Sequence, residues 1–182
     1  MRKLPNLLKI DLRGVTTLVH WPEALPPNLQ HLDISYTGLK NNPQGCRLSA
    51  LSTCAASLRT LQLYALDMGP VGAATLAPCL RRMQQLVDLV LDNNSLKSEG
   101  MIALAPAIST LTNLQTLSLG DNGLDSEDMG CLVAAMVSPL TNLRQLMVSG
   151  GTNYLCCMEL VRAVHGLRTC GMWWITRTTS CN

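Results

Sequence analysis

The sequence predicts an α/β chain wound as a solenoid, with about seven short parallel strands on a concave face and helices on the convex face, in one domain over residues 1–182. Three observations predict it. A pattern of the form L-x-x-L-x-L recurs at 28- or 29-residue spacing along most of the chain. Leucine supplies 34 of the 182 residues and phenylalanine is absent, so the core must be aliphatic. Finally, several copies are followed by apolar residues three or four apart, the stripe of an amphipathic helix.

The copies run in order. The first holds Leu7, Ile10, Leu12 and Val15, and 22 residues on the second holds Leu29, Leu32, Ile34, Thr37 and Leu39. Leu58, Leu61, Leu63, Leu66 and Met68 make the third. The fourth is Leu86, Leu89, Leu91, Asn94 and Leu96, and the fifth Leu114, Leu117, Leu119, Asn122 and Leu124. Leu143, Leu146 and Val148 open the sixth. Leu167 to Met172 is a degenerate seventh, followed by a polar tail at 176–182. In each L-x-L the two leucines share one side of a strand and the residue between them takes the other. The helical stripes are Met68, Gly72, Leu76, Leu80 and Met83; Leu96, Gly100, Leu104, Ile108 and Leu111; and Leu124, Asp128, Leu132, Met136 and Leu140. Strand, helix, parallel strand is the short connection that fits this order. Pro78 and Pro106 fall at matched positions, so these helices are expected to start close to them or to kink.

These residues resemble the leucine-rich repeat superfamily, whose consensus is L-x-x-L-x-L-x-x-N-x-L. The 28/29 spacing is similar to its ribonuclease-inhibitor-like class. The segment Leu25-Pro26-Pro27-Asn28-Leu29-Gln30-His31-Leu32-Asp33-Ile34 resembles the shorter repeats of bacterial effector ubiquitin ligases, so a full helix is not expected in the first repeat. The resemblance implies a horseshoe whose concave face binds a protein. It also implies that Asn94 and Asn122 form a buried structural ladder. The other copies carry Val15, Thr37, Leu66, Gly151 and Ile175 at that place, so the fourth and fifth copies are expected to be the most regular.

Composition narrows the function. The net charge of +2 argues against a dedicated nucleic-acid binder, and 14% charged with 47% hydrophobic residues argues against a disordered tail. Apolar runs fall well short of the roughly 20 residues of a membrane span. Lys9 and Asp11 interrupt the opening segment, so it does not read as a secretory signal and the expected compartment is the cytosol. None of the eight cysteines forms a C-x-x-C pair, which removes the commonest zinc and redox signatures. Cys79 and Cys131 read as core thiols. Cys156, Cys157, Cys170 and Cys181 cluster late and would close a cap only in an oxidising compartment. No catalytic residue, metal, cofactor or small-molecule substrate is expected.

The candidate partner-binding residues lie between and just after the strand leucines: His31, Asp33, Tyr36, Gln62, Tyr64, Asp88, Asp92, Asn93 and Asp121. Of the 12 acids, Asp11, Asp33, Asp88, Asp92 and Asp121 fall on this face, whereas only Lys9 and Arg13 of the 14 basic residues do. Tyr36 and Tyr64 are the aromatic anchors expected of a protein interface. Asp88 and Asp92 lie four apart on a strand, about 13 Å, which suits solvated or partner-facing acids better than a catalytic pair. His31 and Asp33 share a strand face and are expected to pair with each other. Trp173 is expected to face inward and Trp174 to cap the last repeat. Two alternatives stand beside the binding module. One is a regulator of a GTPase, with Arg13 and Arg47 as contributors and a likeness to Ran GTPase-activating proteins. The other is a fragment of a larger immune sensor or effector.

Overall fold

The computed structural model describes residues 4, 6–16, 21–37, 48–124 and 136–148. The degenerate seventh copy, the late cysteines, both late tryptophans, Cys131 and Arg47 lie outside them. Six three-residue strands are present: β1 Lys9–Asp11, β2 His31–Asp33, β3 Thr60–Gln62, β4 Asp88–Val90, β5 Thr116–Ser118 and β6 Gln145–Met147. They form one parallel sheet in chain order. Its register never slips: Ile10, Leu32, Leu61, Leu89, Leu117 and Leu146 are successive partners across the sheet. A strand of three residues has too little ladder to stand alone, so each is held by its neighbouring strands and by the apolar face beneath it.

The connections differ in kind. Between β3 and β4 runs α1, Gly69–Leu80, and between β4 and β5 runs α2, Lys97–Ile108. The link from β2 to β3 carries a 3₁₀ segment, Leu48–Thr53, and the described part of the β1–β2 link carries no helix. The helices do not begin at Pro78 and Pro106 as expected. Both prolines lie two residues before the helix end, and the proline at the start of α1 is Pro70. In the first turn a missing N–H is harmless. Near the last turn, Pro78 and Pro106 remove the N–H groups that would serve the carbonyls of Ala74 and Ile102, both exposed residues.

The sheet's leucines and the helices' inner residues make one aliphatic core. Leu61, Leu63, Leu76, Leu80, Leu89, Leu91, Leu104, Ile108, Leu117 and Leu119 are all fully buried. Each such side chain stabilises by roughly 1.5–3 kcal/mol relative to exposure. Gly100 lets α1 and α2 approach closely: a β-carbon there would lie 3.2–3.4 Å from Leu96, Ala73 and Pro70. Ile10 and Leu12 at the β1 end and Val148 at the β6 end are only partly covered.

Two buried amides hold the turns after the strands. Asn94 Oδ1 accepts from the Leu66 N–H at 3.0 Å, and Asn94 Nδ2 donates to the Leu63 and Leu91 carbonyls at 2.7 and 2.9 Å. Asn122 repeats this 28 residues on, accepting from the Asn94 N–H at 3.0 Å and donating to the carbonyls of Leu91 and Leu119, each at 3.0 Å. Each asparagine therefore ties its own turn to the preceding one. That reach explains how Leu66 is tolerated at the same place one copy earlier: Asn94 already serves its N–H.

The backbone of these turns is also periodic. Gly14, Tyr36, Ala65, Asn93 and Asp121 stand at matched places and all have φ between 53° and 76°. In this left-handed region a β-carbon costs about 1–2 kcal/mol. Their N–H groups bond to the next turn's carbonyl in at least four cases: Gly14 to Ser35, Tyr36 to Tyr64, Ala65 to Asp92 and Asn93 to Gly120, at 2.8–3.1 Å.

Candidate functional site

The sheet face turned away from the helices carries the polar residues of every strand in two rows. The constant register aligns Lys9, His31, Thr60, Asp88, Thr116 and Gln145 in one row, and Asp11, Asp33, Gln62, Val90, Ser118 and Met147 in the other. Further toward the strands' carboxyl ends lie Arg13, Tyr36, Tyr64, Asp92, Asn93 and Asp121. The two rows line a shallow hollow of about 250 Å³ over β1 to β3, bounded by Lys9, Asp11, His31, Asp33, Thr60 and Gln62.

Within the first row, side chains bond across strands. Thr60 Oγ1 approaches Asp88 Oδ2 at 3.4 Å and His31 Nδ1 at 3.1 Å. Thr60 has a single hydroxyl hydrogen. When it points to Asp88, His31 donates from Nδ1 and its neutral ring keeps Nε2 as an acceptor. The expected pairing of His31 with Asp33 is therefore replaced. Asp33 Oδ1 instead accepts the Ser35 N–H at 2.8 Å, a local turn bond that an aspartate two residues before an N–H readily makes. Lys9 Nζ lies 4.0 Å from Asp11 Oδ2, with both side chains more than half exposed. Such a pair contributes little to stability.

Asp88 and Asp92 sit in different surroundings. Asp88 is half-buried beside Thr60. Asp92 Oδ1 accepts from the Ser118 hydroxyl at 2.5 Å and from the Gly120 N–H at 2.9 Å, so it braces the neighbouring turn. Its Oδ2 is buried with no donor upon it. Ser35 and Ser118, which the strand alternation places on this face, are both buried. Gln62 is half-buried within the sheet, and Asn93 and Asp121 are exposed on left-handed turns.

The aromatic centre is formed by Tyr36 and Tyr64. Their ring centroids are 4.7 Å apart and the rings tilt by 34°. Tyr36 is 44% exposed despite its size. The Arg13 guanidinium lies over the Tyr36 ring, 5.8 Å from its centre, within the range of cation–π attraction. The Tyr64 phenol is pushed above its ordinary pKa first by its hydrogen bond with Tyr36, then by burial, by Tyr36's charge, and by the negative charges of Asp121 and Asp92. A strip thus runs along the strands' carboxyl ends, cationic at Arg13, aromatic in the middle and acidic at Asp92 and Asp121. No protein-family model matches the chain, and no curated protein is significantly similar to it.

Three contributors were not legible as such. Thr60 bridges His31 and Asp88, Ser118 braces Asp92, and Arg13 covers Tyr36. The signal for the first was present: Thr60 and Asp88 are 28 apart, the repeat length, and so must be cross-strand neighbours. Among the described residues, no group of three or more His, Cys, Asp or Glu could hold a metal ion. Nor is any helix there long and apolar enough to cross a membrane. Cys54 and Cys79 are buried free thiols, and burial pushes Cys54 up to about 11.

Proposed function

We propose that the chain is a leucine-rich repeat solenoid of the ribonuclease-inhibitor-like class, a non-enzymatic module that grips a protein partner with the concave face of its sheet. The in-register parallel sheet supports the architecture, with its leucine row and asparagine bridges at the repeat spacing. The observation that carries the function is the strip of Arg13, Tyr36, Tyr64 and Asp92 across four adjacent strands. Large aromatic surface beside charges of both signs is how proteins furnish a recognition surface. This reading needs no catalytic residue, cofactor, metal, nucleic acid or small-molecule substrate. Buried, unpaired Cys54 and Cys79 fit a reducing compartment, and we place the protein in the cytosol.

Affinity capture with the intact chain tests the reading. Alanine substitutions at Tyr36, Tyr64, Asp88, Asp92 and Asp121 are expected to weaken the captured complex, with the tyrosines weakening it most. A complex that survives all five substitutions would overturn binding through this face.

A further inference from the structure

The geometry points to a specific chemistry for the partner: an arginine side chain, carried by an extended segment of a protein, stacks on the Tyr36–Tyr64 pair from the Tyr64 side, with Asp92 and Asp121 beyond it. This inference rests on the concave-face reading and narrows it.

Four observations carry it. The two rings, with centroids 4.7 Å apart and planes tilted by 34°, lie one against the other as a stacked pair, and Tyr36 is well exposed. One guanidinium, that of Arg13, already lies over the Tyr36 ring, so the pair accepts on its β1 side the group whose entry is inferred on its other side. Charge is asymmetric: from β2 to β5 the strands' outward positions carry Asp33, Asp88, Asp92 and Asp121, with no lysine or arginine among them. A cation approaching Tyr64 therefore meets complementary charge on its far side. Lastly, the backbone does not ask for a ring at position 36. Its φ is 58°, and the matched positions hold Gly14, Ala65, Asn93 and Asp121. An aromatic residue is an unfavourable choice in the left-handed region, so the ring at 36 is not there for the sake of the turn.

Arginine fits better than lysine. Its guanidinium is planar, stacks on aromatic faces, sheds water more readily and offers several donors to the carboxylates.

The test is an NMR titration of the intact chain, observing the tyrosine rings, with the peptide acetyl-Gly-Gly-Arg-Gly-Gly-amide. The same peptide is then used with citrulline or glutamate in place of arginine. The arginine peptide is expected to shift Tyr36 and Tyr64 saturably. The citrulline peptide, which keeps the shape and loses the charge, is expected to bind about five-fold more weakly. The glutamate peptide is expected to leave both rings unmoved. Tyr36→Gly, which suits the left-handed backbone, is expected to fold and to lose the arginine response, and Tyr36→Phe to keep it. Equal binding of arginine and citrulline, preference for glutamate, or an undiminished response in Tyr36→Gly would overturn the inference. A protein partner lost on Tyr64→Ala but indifferent to all three peptides would overturn the arginine chemistry alone. A partner indifferent to Tyr64→Ala would overturn the face as well.

Discussion

The turns after β4 and β5 and the turn after β2 solve one problem with different groups. In the central pair, Asn94 and Asn122 each place one acceptor and two donors in the core and so reach two successive turns. After β2 the same work falls to a hydroxyl. Thr37 Oγ1 donates only to its own turn, to Ile34 O at 2.8 Å. In the β2–β3 link, hydroxyls bond instead to the segment ahead of β2: Ser57 Oγ lies 2.8 Å from the carbonyls of both Pro27 and Leu29, and Thr53 Oγ1 accepts from the Leu25 N–H at 2.9 Å. A hydroxyl has one hydrogen, so it cannot satisfy as many buried carbonyls as an amide. The central region is also backed by two packed twelve-residue helices, whereas the amino-terminal links carry at most a 3₁₀ segment among the described residues. The difference teaches that repeat regularity is a matter of hydrogen-bond capacity as much as of leucine spacing.

The contrast can be broken by substitution. Asn122→Leu should be the most damaging single change. It orphans the Asn94 N–H and buried carbonyls of two turns, and chemical denaturation should show a loss of about 4 kcal/mol. Leu119→Ala, beside it in the core, should cost about 3 kcal/mol through lost burial and the cavity left behind. An unchanged denaturation midpoint would contradict that side chain's placement.

The amino-terminal region offers a pH test. Burial pushes Cys54 up to about 11 from 9.0, so the folded state keeps a proton that the unfolded state releases. Its contribution is complete below pH 9 and declines, by about 1.4 kcal/mol per unit, as pH rises toward 11. Cys54→Ala should flatten that decline. Thr37→Val, losing one turn bond, should cost only about 1 kcal/mol. If Thr37→Val proved as costly as Asn122→Leu, the distinction between hydroxyl and amide turns would fail.

The strands and the buried leucines were legible because period-two alternation and a repeat of 28 or 29 residues fix both facing and register. The two helices were legible as stripes but misplaced at their starts. Pro78 and Pro106 read as marks of a late start or a kink, while the helices begin well before them and α1 carries Pro70 in its first turn. Asn94 could be read as a buried residue, but its service to Leu66 could not, since that bond crosses between copies. His31 was misread because its neighbours were sought along its own strand. In a sheet of three-residue strands the nearer polar group is often on the next strand, as Thr60 is. Arg13 belongs to the aromatic strip through a contact between copies that spacing alone does not disclose.

A photo-crosslinking side chain placed at Tyr64, and separately at Ile102 on the exposed face of α2, tests the binding face most directly. Crosslinking to the partner from position 64 and not from 102 is the outcome expected of a polar sheet face that binds. Crosslinking from 102 with silence at 64 would place recognition on the helices and contradict it.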